Sequence, residues 1–258
     1  MAQINLALRL DALRLPLKRA LDVAATLGVS AVELNARDEV HPESLSETGL
    51  RQLRKMLEER NLKVAALRFQ TRSGYDQTDN LQRRVEATKS AMDLAYKLGT
   101  SSVINFIGRV PEEASDSRYE ALQSVLDDLG RYGARVGAFL AAETGAESGK
   151  VLSEMLRGKE DGFIAVALNP GQLIINRYSV MDAIQVLKDR VQVVCATDGV
   201  LDLAEGRGIS VPIGEGTADY PQIMASLEDV GFRGHFVVGR RDSAATELGQ
   251  GLKYLGNL

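Results

Sequence analysis

The sequence predicts an α/β fold, a single (β/α)8 TIM barrel spanning residues 1–258. Two observations point there. Short apolar runs alternate with longer segments of helical period, which implies parallel strands joined by helical crossovers, and the pairs number eight. No linker or low-complexity stretch interrupts the series. A doubly wound open sheet shares this alternation. Its dinucleotide-binding version is poorly matched, because Gly214-Glu215-Gly216 comes late and has Asp219 where a third glycine belongs.

In chain order, residues 4–8 form a first strand and 17–27 a helix closed by Gly28, since glycine takes the left-handed conformation without penalty. Residues 31–34 make the second strand, and 46–60 a helix with Leu50, Leu53 and Leu57 on one face. A third strand over 64–67 leads into a polar loop, 70–80. Residues 81–98 give the clearest helix: Leu81, Val85, Thr88, Met92 and Ala95 recur at threes and fours, and Gly99 ends it. Strands over 102–106, 139–142, 164–168 and 192–196 follow, separated by helices over 119–136, 150–156 and 180–187. A glycine-containing loop then precedes an Asp219-capped helix over 219–230, a last strand over 235–238 and a last helix over 245–255.

Composition narrows the function. An apolar fraction of 45% and a charged fraction of 26% are those of a globular protein. A net charge of -4 with pI near 5.4 argues against a nucleic-acid partner, which calls for a basic face. Cys195 is the one cysteine, so no intrachain disulfide forms and a reducing cytoplasm is the expected location. Arg9, Asp11 and Arg14 interrupt any signal-peptide core, and no apolar run approaches the roughly 20 residues that span a bilayer.

In a barrel, chemistry sits at the C-terminal ends of the strands. Those ends carry Arg9; Glu33 and Asn35; Arg68, Gln70 and Arg72; Asn105 and Arg109; Glu143 and Thr144; Asn169 and Gln172; Cys195, Thr197 and Asp198; and Arg240 with Arg241. Arginines and amides dominate. Such a mouth suits a small polyhydroxylated or anionic ligand, because guanidinium forks pair with phosphate or carboxylate. The glycines beside Glu215 allow close backbone approach to a ligand, and Arg72 lies in a loop with Gly74 and Tyr75 that is a candidate lid.

The stretch 211–242 carries the Gly214-Glu215-Gly216 loop, the Asp219-capped helix, the Gly231/Gly234 turn and the strand at 235–238. It resembles the last helix–strand unit of the xylose isomerase-like TIM barrels, the superfamily of sugar phosphate isomerases and epimerases and of endonuclease IV. Glu143 in FLAAETGAES is similar to the family's metal-binding glutamate of strand five. The other ligand positions depart from the pattern. Asn169-Pro170-Gly171-Gln172 stands for Asp-Pro-Gly-His, Cys195 for the histidine three residues before Asp198, and Gly239 for the closing glutamate. The resemblance thus implies an isomerase or epimerase of a sugar or sugar phosphate, and a homodimer. The substitutions imply that the divalent metal (Mn, Mg or Zn) is absent, since one carboxylate with amides and a thiol offers little charge to offset dehydration.

Two functions remain open from the sequence. In one, Glu143 is the single base of an isomerase, arginines stabilise the enediolate, and Arg72, Asn105, Asn169, Gln172, Asp198, Glu215, Arg240 and Arg241 hold the substrate. In the other, a non-catalytic barrel binds a sugar-like or anionic ligand or a protein partner.

Overall fold

The structure, a computed structural model, describes residues 4–111, 113, 115–157, 162–202, 207–240 and 243–258. Its strands in chain order are β1 (Asn5–Arg9), β2 (Ala31–Asn35), β3 (Lys63–Arg68), β4 (Ser102–Asn105), β5 (Phe139–Glu143), β6 (Ala165–Leu168), β7 (Val191–Ala196), β8 (Asp198–Asp202), β9 (Arg207–Val211) and β10 (His235–Val238). Eight of them close into a barrel in the order β1-β10-β7-β6-β5-β4-β3-β2, with every pairing parallel. The open sheet is excluded. Helices α1 (Leu17–Thr26), α2 (Glu47–Glu58), α3 (Leu81–Lys97), α4 (Ser117–Val136), α5 (Gly149–Met155), α6 (Pro170–Ile175), α7 (Val180–Leu187), α8 (Tyr220–Glu228) and α9 (Ala245–Gly256) lie between and after the strands.

Local chemistry sets these boundaries. The side chains of Ser46, Asp116, Ser148, Ser179 and Asp219 each accept a backbone N–H at the start of their helices, satisfying donors that a helix leaves free. Gly137 closes α4 at φ 85, the left-handed conformation of a C-terminal cap. Among the described residues, no helix is long and apolar enough to cross a membrane.

Two elements differ from the sequence expectation. The stretch after β7 contains an antiparallel hairpin, β8 with β9, and residues 170–175 form α6. Gly199 and Gly208 lower strand propensity, which hides the hairpin. Packing requires glycine at 208, where a Cβ would lie 2.6 Å from Ile175 Cα, and leaves little room at 199, where one would lie 3.2 Å from Gly171 O; both neighbours are on α6.

Two cores form. The larger lies between strands and helices and includes Leu8, Leu34, Leu67, Met92, Leu126 and Leu168, all at or near zero exposure. The smaller fills the barrel and is dominated by small side chains: Ala7, Ala31, Ala66, Ala141, Ala165 and Ala167, with Ile104, Val193, Cys195 and Val237. Because side chains alternate along a strand, the inward position two residues on is fixed for each of these. That layer holds Arg9, Glu33, Arg68, Glu143, Asn169, Thr197 and Gly239. Alanines below leave room for long polar chains above.

Candidate ligand-binding site

The C-terminal mouth opens into a cavity of about 1040 Å³. Arg9, Arg14, Arg37, Arg68 and Arg240 line it, with three carboxylates, Asp11, Asp38 and Glu143. Glu33 and Glu247 pair with Arg9, Arg68 and Arg240 just behind this lining and balance the charges. What the arginines offer a guest is therefore directed N–H donors, which suit an anionic or hydroxylated group.

Arg68 is the centre of the floor. The guanidinium enters from β3, and only 4% of the residue is exposed. Nε donates to Glu33 Oε1 at 2.6 Å and Nη2 to Glu33 Oε2 at 3.3 Å. Nη1 donates to Glu143 Oε2 at 2.9 Å, and Nη2 reaches Cys195 Sγ at 3.2 Å. Burial works against its charge, but Glu143 and Glu33 outweigh it and hold the guanidinium firmly protonated. A β-bulge between Val32 and Glu33 shifts the register against β3 beside the Glu33 carboxylate.

Glu143 does point into the mouth, but both its oxygens are engaged. Oε1 accepts from Asn169 Nδ2 at 2.8 Å; Oε2 accepts from Arg68 and from Gln70 Nε2 at 3.1 Å. Burial pushes its carboxyl up, yet Arg68 and the Asn169 amide outweigh burial and hold it below the usual glutamate value. Asn169 is fixed in turn: its Oδ1 accepts from Thr197 Oγ1 at 2.5 Å and from the Gln172 N–H that starts α6. Arg9 pairs with Asp11 at 2.5 Å and with Glu33 at 3.5 Å, and Asn35 Nδ2 donates to Asp11 at 2.9 Å.

Of the residues given a catalytic or substrate role from sequence, Glu143, Asn169, Gln172 and Arg240 line the cavity. Arg240 does so while bidentate to Glu247, at 3.1 and 2.8 Å. Arg241 lies outside the described residues. Asn105 does not reach the cavity. Ile104 faces inward, so Asn105 faces the helical layer, where it donates to Tyr75 Oη at 2.7 Å and accepts from Thr71 N–H at 3.1 Å. Tyr75 is fully buried and also bonds Thr88 Oγ1 at 2.7 Å, which anchors the loop read as a lid and leaves Arg72 exposed away from the cavity.

Asp198 is likewise turned out of the mouth, because Cys195 and Thr197 hold the inward positions. Its buried carboxylate accepts backbone N–H groups from Gly199, Gly214, Gly216 and Ala218 at 2.8–3.1 Å. The glycines around Glu215 therefore approach Asp198, not a ligand: a Cβ on Gly216 would lie 2.1 Å from Asp198 Oδ1. Glu215 itself is exposed and does not line the cavity. Cys195 is a buried thiol whose pKa burial pushes up, against the pull of Arg68, which is not the state of a nucleophile.

Sequence reasoning named Arg9, Glu33 and Arg68 as strand ends and gave them no role. The available signal was parity, since each lies two residues beyond a barrel-filling alanine.

Beside the mouth, Glu147 is another buried carboxyl, accepting from Val110 N–H at 3.3 Å. Burial, which the backbone bond and Arg109 do not offset, raises it to about 7. Between its ordinary 4.5 and about 7 the unfolded chain gives up this proton first, so stability falls as pH rises through that window. Glu39, which burial likewise raises to about 7, adds a similar dependence. Urea titrations at pH 5 and 7.5 should therefore show a loss that Glu147→Gln reduces by on the order of 2 kcal/mol and does not abolish.

The donor chemistry also tests for a metal. Among the described residues, no three His, Cys, Asp or Glu side chains gather to hold one. Around Glu143 stand the Asn169 and Gln70 amides and the Arg68 guanidinium, with the buried Cys195 thiol beyond it, a set that does not fit a divalent cation.

Fold and mouth together define a (β/α)8 barrel with a polar ligand cavity at the C-terminal strand ends. Residues 21–258 match the xylose isomerase-like TIM barrel model, and the chain belongs to that family. No curated protein matches the chain. Similar solved structures include a xylose isomerase domain protein from Planctomyces limnophilus, with TM-score 0.85 and 21% identity over 99% of this chain and 96% of that one. A xylose isomerase-like TIM barrel protein from Mycobacterium smegmatis, in complex with magnesium, gives 0.73 and 16% over 93% and 87%. A sugar phosphate isomerase/epimerase from Parabacteroides distasonis gives 0.71 and 14% over 99% and 94%.

Proposed function

We propose that the chain is a binding barrel for a small polyhydroxylated molecule bearing an anionic group, built on an isomerase-type scaffold without its proton shuttle. The observation that carries this reading is the state of Glu143. A general base works best near the operating pH and needs a free lone pair aimed at the proton it removes. Glu143 is held below the usual carboxylate range, and three of its roughly four lone-pair sites accept from Arg68, Gln70 and Asn169, leaving one on Oε1. At the position of a second glutamate stands Gly239. The lining guanidiniums offer N–H donors to an anionic group; Gln70, Gln172 and Asn176 offer amides to hydroxyl groups.

One observation favours the isomerase reading: the Glu143 side chain keeps 11% of its surface accessible, facing the cavity. The neighbours named as isomerase or epimerase point the same way. A panel of aldoses, ketoses, aldonates and sugar phosphates, screened by calorimetry, identifies the ligand. That ligand is then incubated with the protein in deuterium oxide and followed by proton NMR. The binding reading expects no deuterium on carbon, and Glu143→Gln retaining affinity within about fivefold, or 1 kcal/mol. Carbon-bound deuterium that Glu143→Gln abolishes would establish a single-base isomerase instead.

A further inference from the structure

We infer that the Arg68 guanidinium is the resident cation of this barrel, taking the place between the strand ends that a divalent ion would otherwise occupy. The four positions at which the family resemblance sets metal ligands all meet an arginine or its partner. Arg68 bonds Glu143 at 2.9 Å and Cys195 at 3.2 Å. Asn169 bonds Glu143 at 2.8 Å. At Gly239, a Cβ would lie 2.3 Å from Arg9 Cβ and 3.2 Å from Arg9 Cγ, so the Arg9 side chain fills the space a glutamate would take.

Arg9 and Arg68 together carry the charge of one divalent ion, and both pair with Glu33. A metal bound to Glu143 would stand within a few ångströms of Arg68, where two like charges in a poorly solvated site repel strongly. The guanidinium is planar, permanently charged and independent of metal supply. It also retains one donor. Four of its five N–H groups are committed to Glu33, Glu143 and Cys195, and the fifth has no acceptor among the described residues, although Arg68 lines the cavity. That N–H is the point at which a ligand oxygen meets the cation.

The test needs no ligand, so its outcome is independent of the binding proposal. Wild-type protein stripped with EDTA is titrated with Mn2+, and the free ion is read by electron paramagnetic resonance. No stoichiometric binding is expected; stoichiometric Mn2+ would overturn the inference. Arg68→Met should lower Tm by on the order of 10 °C, because Glu143 is left with amide donors but no cation, and Glu33 keeps only Arg9 at 3.5 Å. The triple variant Glu33→Gln, Arg68→Met, Glu143→Gln removes both anions with the cation and should melt well above Arg68→Met. Equal melting of the single and triple variants would mean that Arg68 only fills space. If Arg68→Met does not fold, a folded triple variant sustains the inference and an unfolded one overturns it.

Discussion

Gly239→Glu, which restores the residue the family resemblance implies, should destabilise the protein by about 3–5 kcal/mol. Parallel pairing sets Leu8 against Val238, so Arg9 and Gly239 come next in register on adjacent strands. A Cβ at Gly239 would overlap Arg9 at 2.3 Å, near the root of that side chain and not at its flexible end. Relief therefore requires the two strands to separate at the mouth, at the expense of their ladder and of the Arg9–Asp11 and Arg9–Glu33 pairs. Gly239→Ala carries the same overlap without the carboxylate and should lose about 2 kcal/mol. Arg9→Gly in the same chain should recover part of that loss. Urea denaturation at constant m-value measures all three. Wild-type midpoints would show that β1 and β10 can part freely and that glycine is not required there.

Asp198→Ala should cost about 4–5 kcal/mol, although the residue touches no cavity. Its carboxylate organises four backbone N–H groups from Gly199, Gly214, Gly216 and Ala218, and it is fully buried. Leaving a buried donor unsatisfied costs about 1–3 kcal/mol, and water entering the gap recovers part of the total. Asp198→Asn keeps the shape but turns one acceptor oxygen into a donor facing N–H groups, so it should behave nearly as badly. Hydrogen exchange should show residues 211–218 opening first in either variant. A stability within 1 kcal/mol of wild type would mean that the loop finds other partners.

The fold was legible because its signal is periodic. The helix at 180–187 and the strand at 235–238 coincide with α7 and β10, where apolar spacing and cap residues agree. The hairpin β8–β9 was hidden by Gly199 and Gly208, of which Gly208 is glycine because its backbone presses against Ile175 of α6. Glu143, Asn169, Gln172 and Arg240 line the cavity, and each follows a readable apolar strand. Asn105 and Asp198 were misassigned by one position of strand parity, which only closure of the barrel fixes. Arg68 was named without a role because its partners lie on three other strands, β2, β5 and β7, far away in sequence.

The alanine-filled lumen has a consequence for how the barrel can be divided. Small interior side chains allow Arg68 to cross from β3 to β5 and β7, strands with which it shares no backbone ladder. The crossing joins the amino-terminal half, which carries Arg9, Glu33 and Arg68, to the carboxy-terminal half, which carries Glu143, Asn169 and Cys195. Neither half holds a finished site. A half-barrel fragment exposes one side of the Arg68–Glu143 contact to water, and docking of the two fragments completes the pairing. The site is thus assembled by ring closure itself, and its integrity reports whether the ring has shut.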